Sequence, residues 1–539
     1  MDKPEKENVT YHLPEWDKQG RQYYRICSQP AENNHVAACV KIADKVIPVI
    51  FLPGVMGTNL RNIKGKEPIW FGNSPGSLDT AWGWVLKTAE ERKKLLNPET
   101  TEVDDGGKIL YDGLEGNVFP LRSERGWGAG LFTSYGYPLH VLQLMLNDWK
   151  VLAENIVHGT NYPTSRKLLI GKELNAQGED GLTEAEVRHS YEFLYPLHVF
   201  GYNWLQSNVE SAKHLEDYID QVMITYHGRL AVNKVILVTH SMGGLVARHY
   251  SENMGGNENI LGIVHGVMPD LGSPAAYRRM KVGEQAFAVG NVIGNSAEKL
   301  MPVLAQSPGP LQLLPGKAYG PGWLKIQGDN GMESRPLSDP YKEIYQNKKD
   351  WWRLYEAGIS GGNPEDEWKK YHDIIKDKVI DFIDNLNGKY HPNTWAFYGA
   401  SEKYKSDEYL MWKQTRYYPD EVESPASWQY PGPAPAIAYP SGSRIKIPVP
   451  PTERKDRQNH RQYKLVSSGS PGDGTVPVKS GYISWPGIRS QIAVDVDHEG
   501  AYASNNQNGE ETAVALNFTL RAIVKMVQNI PACGECRCR

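Results

Sequence analysis

The sequence predicts an α/β fold built on a mostly parallel central sheet. Four continuous apolar runs of strand length stand at 46–52 (VIPVIFL), 197–202 (LHVFGY), 235–239 (VILVT) and 260–267 (ILGIVHGV). Strands that are apolar on both faces are those buried inside parallel sheets. Between the second and third runs, Glu210–Gly228 is apolar near helical spacing, so strand, helix and strand alternate. Further strand signals return at Thr394–Tyr398 (TWAFY) and Gln491–Val496 (QIAVDV), and a last helix is expected over Glu511–Gln528. The sheet is therefore collected from positions 46 to 528.

Composition bounds the function classes. The chain has 539 residues, 59 Lys plus Arg and 63 Asp plus Glu, for a net charge of −4. That balance gives no support to nucleic-acid binding, which needs a net basic face. With 15 Trp and 30 Tyr the chain is folded rather than disordered. No apolar run is long enough for a transmembrane helix. The start, MDKPEKENVT, has no apolar core behind its charges, so no signal peptide is expected and synthesis in the cytoplasm is.

The length exceeds what one core usually serves, so the excess is assigned to insertions. The expected organisation is an N-terminal extension (1–45), a core at 46–274 and 391–528 with an insertion at 60–190, and a cap or lid at 275–390. Residues 425–451 carry eight prolines and read as an extended surface loop. In the tail, 529–539, Cys533, Cys536 and Cys538 could form half a zinc site or lie in a solvated end.

The most informative string is LVTHSMGGLV (237–246). An apolar strand runs into His-Ser-Met-Gly-Gly and a helix-compatible run follows. This is the arrangement of a nucleophile elbow, in which a sharp turn lifts the Ser241 hydroxyl clear of the backbone. Gly243 supplies the small residue two positions later; Thr239 stands where a glycine is usual two positions earlier. His240 points away from Ser241 on so tight a turn and reads as a packed histidine, not a base. Acyl transfer also needs donors for a developing oxyanion. The N–H of Met242 is one candidate. The other comes from FLPGVMGT (51–58), through Val55 or Met56.

The strings FLPGVMGT, GYNW (201–204) and HSMGG (240–244), in that order, resemble a lipase branch of the α/β-hydrolases. That branch includes lecithin–cholesterol acyltransferase, the GPI inositol-deacylases and bacterial phospholipase effectors of the type VI secretion system. FGYNWLQSN (200–208), DGTVP (473–477) and DHEGAY (497–502) are most similar to the effectors. The resemblance covers about 46–58, 195–274 and 465–505. It implies an α/β-hydrolase fold with large cap or lid insertions.

In that fold the order is Ser, acid, His. Asp473 lies between glycines on a turn after YKLVSS (463–468), and the family reads its acid from such a D-G-x-V-P string. Asp270, after the fourth apolar run, is the rival. His498, after an apolar strand and before the last helix, is the base candidate. His498 would take the Ser241 proton and Asp473 would hold its tautomer. His265, inside a buried run, reads as core. Asp495 and Asp497 flank His498 and either tune it, bind a cation or edge a loop.

The long span from Ser241 to Asp473 implies a cap. The apolar stretch 286–315 reads either as an acyl-trough wall, with Leu304 and Leu311 as substrate contacts, or as cap core. Trp82, Trp84, Trp127, Trp351 and Trp352 suit a lipid–water interface or serve as half-buried anchors. Basic residues from Arg444 to Arg461 meet phosphate head groups or solvent.

The expectation is a serine esterase on membrane phospholipids, with a membrane surface as its working partner and no nucleic acid. No cofactor or metal is expected, calcium being the one ion left open. The alternatives are an acyltransferase using the same residues, or an inert hydrolase-fold binding protein. The resemblance further implies an antibacterial toxin delivered by a type VI system into a target periplasm, partnered by a secretion component and a cognate immunity protein.

Overall fold

The computed structural model describes residues 45–72, 87–110, 118–148, 160–227, 234–284, 294–329, 331–419, 444–448, 458–503 and 513–531, with short pieces before residue 44 and at 84, 151–152 and 155. The central sheet has six strands: β1 (Val49–Leu52), β2 (Leu197–Val199), β3 (Val235–His240), β4 (Ile260–Gly266), β5 (Thr394–Gly399) and β6 (Ser490–Val494). Their order is β2-β1-β3-β4-β5-β6, and every neighbouring pair is parallel. This is the α/β-hydrolase arrangement that the motifs implied.

The first strand is shorter than its apolar run. Pro48 has no N–H for the ladder. Val49–Leu52 pairs with β2 and β3, while Lys45–Val46 pairs separately with Phe193–Leu194. Pro48 contributes only its carbonyl, accepting from Ile236 N–H at 2.9 Å.

Strand periodicity divides the core in two. Val49, Phe51, Ile236, Val238, Val264 and Phe397 enter one apolar cluster. Ile50, Leu52, Val235, Leu237 and Ile263 enter the other. Successive strand side chains point to opposite faces, so both faces are buried and both need cover. Helices supply it: α1 (Phe132–Asn147), α2 (Asn208–Tyr226), α3 (Gly243–Asn253), α5 (Ala297–Leu304) and α6 (Val514–Met526), while α4 (Pro274–Val282) packs in a separate cluster. Helix α1 buries Tyr135, Leu139, Leu142 and Leu146 in the first cluster, beside α6. Helix α2 buries Ala212, Leu215, Ile219, Val222 and Tyr226 in the second, at the three- and four-residue spacing of one helix face. Ser207 starts α2 by accepting from Val209 N–H.

A second, five-stranded sheet lies outside the core. Its order is Gly331–Arg335, Leu324–Gly328, Leu410–Pro419, Gln458–Ser467, Arg444–Pro448. It draws strands from both sides of β5, so the segment 391–528 is shared between layers rather than given wholly to the core. The reason is packing: Trp412, Ile445, Tyr463 and Leu465 face the apolar cluster of α4, Trp323 and Tyr345. Arg444–Pro448 is thus a paired strand inside the stretch expected as a loop; 425–443 and 449–451 lie outside the described residues, as do Cys533, Cys536 and Cys538. Trp84 and Trp127 are buried anchors rather than interface residues, Trp351 and Trp352 pack half-buried against the second sheet, and Trp82 lies outside the described residues. No described helix is long and apolar enough to cross a membrane.

Helix α3 is tied down from behind. Arg248 donates to Asp270 Oδ1 at 2.6 Å, and Tyr390 OH donates to Asp270 Oδ2 at 2.7 Å. Arg248 also reaches the carbonyls of Leu386 and Lys389. Both oxygens of Asp270 are occupied, and the side chains of the pair are 1% and 4% exposed. Removing one partner of such a pair strands a buried charge. Arg248→Ala should therefore lower the unfolding free energy by about 3–5 kcal/mol, read from the urea midpoint.

Candidate active site

The strand order reverses between β1 and β3, since β1 continues to β2 on one side and the later strands lie on the other. A crevice opens beyond the carboxyl ends of the strands at such a switch point. The loop after β1 is FLPGVMGT, and Ser241 follows β3 directly.

Ser241 has φ +51°, in the left-handed region, between β3 and α3. A non-glycine residue held there is strained and must be over-determined by its surroundings. Ser241 N–H donates to Gly266 C=O at 2.9 Å, and Gly244 N–H donates to Ser241 C=O at 3.0 Å. Two glycines let the chains meet. A Cβ on Gly243 would lie 2.5 Å from Leu52 O and 2.6 Å from Pro53 O; one on Gly54 would lie 2.7 Å from His240 Nδ1. Thr239 is accommodated because its hydroxyl bonds His265 Nδ1 at 3.1 Å and its carbonyl accepts from Tyr502 OH at 2.9 Å.

Asp473 and His498 meet Ser241 across the sheet. His498 Nε2 is 2.8 Å from Ser241 Oγ, and His498 Nδ1 is 2.8 Å from Asp473 Oδ2. Asp473 is held by several hydrogen bonds. Its Oδ1 accepts from Thr475 N–H at 2.9 Å and Val476 N–H at 2.6 Å. Ser406 Oγ accepts from Asp473 N–H at 3.1 Å and Gly474 N–H at 2.9 Å. Gly399, at the end of β5, leaves room for the Asp473 Cβ. Ser273 donates to Thr475 C=O and Arg279 to Thr475 Oγ1, so the α4 region holds the same loop. Asp270, the rival acid, is spent on Arg248 and Tyr390. Asp497 accepts from Gly500 N–H and so shapes the turn after His498.

The loop after β1 closes a turn from Gly57 N–H to Gly54 C=O at 3.0 Å, with Met56 at φ +64°. That closing bond leaves the amides of the central residues, Val55 and Met56, unspent by the turn. Trp70 Nε1 donates to Met56 C=O at 2.7 Å and steadies it. Met242 caps the N-terminus of α3, where the helix dipole favours negative charge. Leu304 is half-buried and packs on the apolar cluster that holds Met242, Val55 and Met56. Leu311 is 2% exposed, in the separate cluster beneath the second sheet. Sequence reasoning missed Tyr135, Ser406 and Tyr502 as supports; none sits in a motif that announces such a role, although Tyr502 ends the DHEGAY string.

A serine, a histidine and an aspartate in hydrogen-bonded line, beside two candidate amide donors, form an arrangement suited to acyl transfer. The fold is that of an α/β-hydrolase. The lecithin:cholesterol acyltransferase family model matches residues 191–430. The crystal structure of the Tle4–Tli4 complex contains a chain that is 27% identical, with a TM-score of 0.70 over 90% of this chain and 99% of that one. Both matches fall in the branch that the motifs resemble. No curated protein sequence matches significantly.

Because the atoms facing Gly243 are backbone, they cannot move aside. Gly243→Ala should drive β1 and α3 apart, costing about 1–3 kcal/mol in denaturant unfolding.

Proposed function

We propose that the chain is a serine lipase that hydrolyses acyl esters of membrane phospholipids through an acyl-enzyme on Ser241. The observation that carries the reading is the line of hydrogen bonds from Asp473 through His498 to Ser241. In this scheme Ser241 Oγ attacks the ester carbonyl while His498 Nε2 takes its proton. Asp473 keeps the Nδ1–H tautomer and stabilises the imidazolium. The oxyanion is met by Met242 N–H and by the N–H of Val55 or Met56. His498 returns the proton to the leaving alcohol, and water then releases the fatty acid by the same route. None of these steps requires a metal. Leu304, half-buried, is better placed than the fully buried Leu311 to meet an acyl chain.

The likeness to Tle4, a type VI phospholipase effector, supports phospholipid as the substrate. The pairing in the Tle4–Tli4 complex supports a cognate immunity protein as partner, and delivery through a secretion component into a target-cell periplasm is part of the same proposal. A second reading is favoured by the matched family's name: the acyl group passes to an alcohol instead of water. Adding an alcohol acceptor would then yield a new ester beside free fatty acid.

The test is purified protein on a panel of phospholipids, with products read by mass spectrometry. Fatty acid and lysophospholipid should appear, and Ser241→Ala should abolish both. Release that persists in Ser241→Ala would overturn the proposal. Asp473→Asn should fold normally and lose about 10⁴-fold in kcat.

A further inference from the structure

His240 neighbours the nucleophile in sequence, yet its ring faces neither Ser241 nor solvent. It is 5% exposed and lies between two groups that belong to different parts of the site. Its Nδ1 is 2.8 Å from Tyr135 OH, and its Nε2 is 2.7 Å from the carbonyl oxygen of His498. Tyr135 OH is in turn 3.1 Å from Gly54 N–H.

The proton positions along this chain follow from what each group can do. Gly54 N–H can only donate, so the Tyr135 oxygen accepts there. The one phenol proton then goes to His240 Nδ1, which must accept. Nε2 therefore carries the ring proton, and its partner is a carbonyl that can only accept. Every group is satisfied by a neutral imidazole in the Nε2–H form. Burial, reinforced by the nearby His498, pushes His240 down to about 3. The ring therefore stays neutral when His498, whose centroid is 5.2 Å away, becomes charged. It cannot compete as a second base.

From this geometry we infer that His240 is a positioning residue: with Tyr135 it locks the backbone of the base, at His498 C=O, to the oxyanion-side loop, at Gly54. The opposite side of His498 is held by its own N–H, which donates to Asp473 C=O at 2.8 Å. The base is thus clamped at both backbone groups, and one clamp is continuous with the turn that presents Val55 and Met56. Glycine at 54 is what admits the ring, since a Cβ there would meet Nδ1 at 2.7 Å.

This role rests on the serine mechanism above, so its test needs its own control. His240→Leu removes both hydrogen bonds, whereas His240→Gln restores an acceptor and a donor carried on one carbon, as the ring carries its nitrogens. With a soluble ester, His240→Leu should lose about 10²-fold in kcat, the scale of a small misplacement, with KM nearly unchanged. His240→Gln should recover most of that loss. Tyr135→Phe should fall in the same direction, and Tyr135→Phe with His240→Leu should lose no more than His240→Leu alone, because the two act as one unit. Melting curves identify the folded variants. Folded His240→Leu with unimpaired kcat, or His240→Gln as poor as His240→Leu, would overturn the role. Ser241→Ala separates the two claims: if it stays active the nucleophile assignment fails, and if it is dead while His240→Leu is unimpaired only the positioning role fails.

Discussion

The site depends on one constraint, the close crossing of backbone at Ser241. Three segments meet there: the loop leaving β1, the turn leaving β3 and the first turn of α3. They meet only because Gly54 and Gly243 have no side chains. The left-handed Ser241 costs about 1–3 kcal/mol in such a place. Hydrogen bonds from its N–H and to its carbonyl, and the buried Arg248–Asp270 pair behind α3, hold it against that cost.

The partners of Ser241 arrive from far along the chain. Asp473 and His498 lie beyond β5 and on either side of β6, and the sheet of the second layer comes from segments before and after β5. That layer is not merely stacked on the core. Ser273 and Arg279, at the start and within α4, reach the acid loop, and Ser406, beyond β5, holds its backbone. Asp473 therefore sits where core and second layer touch.

Much of this was legible in the sequence. Apolar runs of strand length marked the buried parallel strands, and the abrupt Ser-Met-Gly-Gly after one of them marked the elbow. Chain order then singled out Asp473 and His498, which the fold brings within hydrogen-bond distance of one another and of Ser241. What stayed hidden has physical causes. Asp270 stayed in view as a lesser rival because a sequence does not reveal that Arg248 and Tyr390 consume its oxygens. The second sheet was missed because it pairs residues 324–335 with 410–467, and pairings so distant leave no local period. Pro48 shortened a strand that hydropathy alone extends. Tyr135 and Ser406 act through single hydroxyls, and no pattern around them distinguishes those from any surface Tyr or Ser. His240 was recognisable as packed, but its two specific partners were not.

The proposed mechanism makes Ser241 the activated nucleophile of the His498–Asp473 pair. Its most direct test is labelling with a fluorophosphonate, which reacts covalently with an activated serine, followed by peptide mass spectrometry. One adduct is expected, on the peptide containing Ser241, formed far more slowly when His498 is replaced by Ala. An unlabelled Ser241, or a label on another serine at the same rate in both proteins, would contradict it.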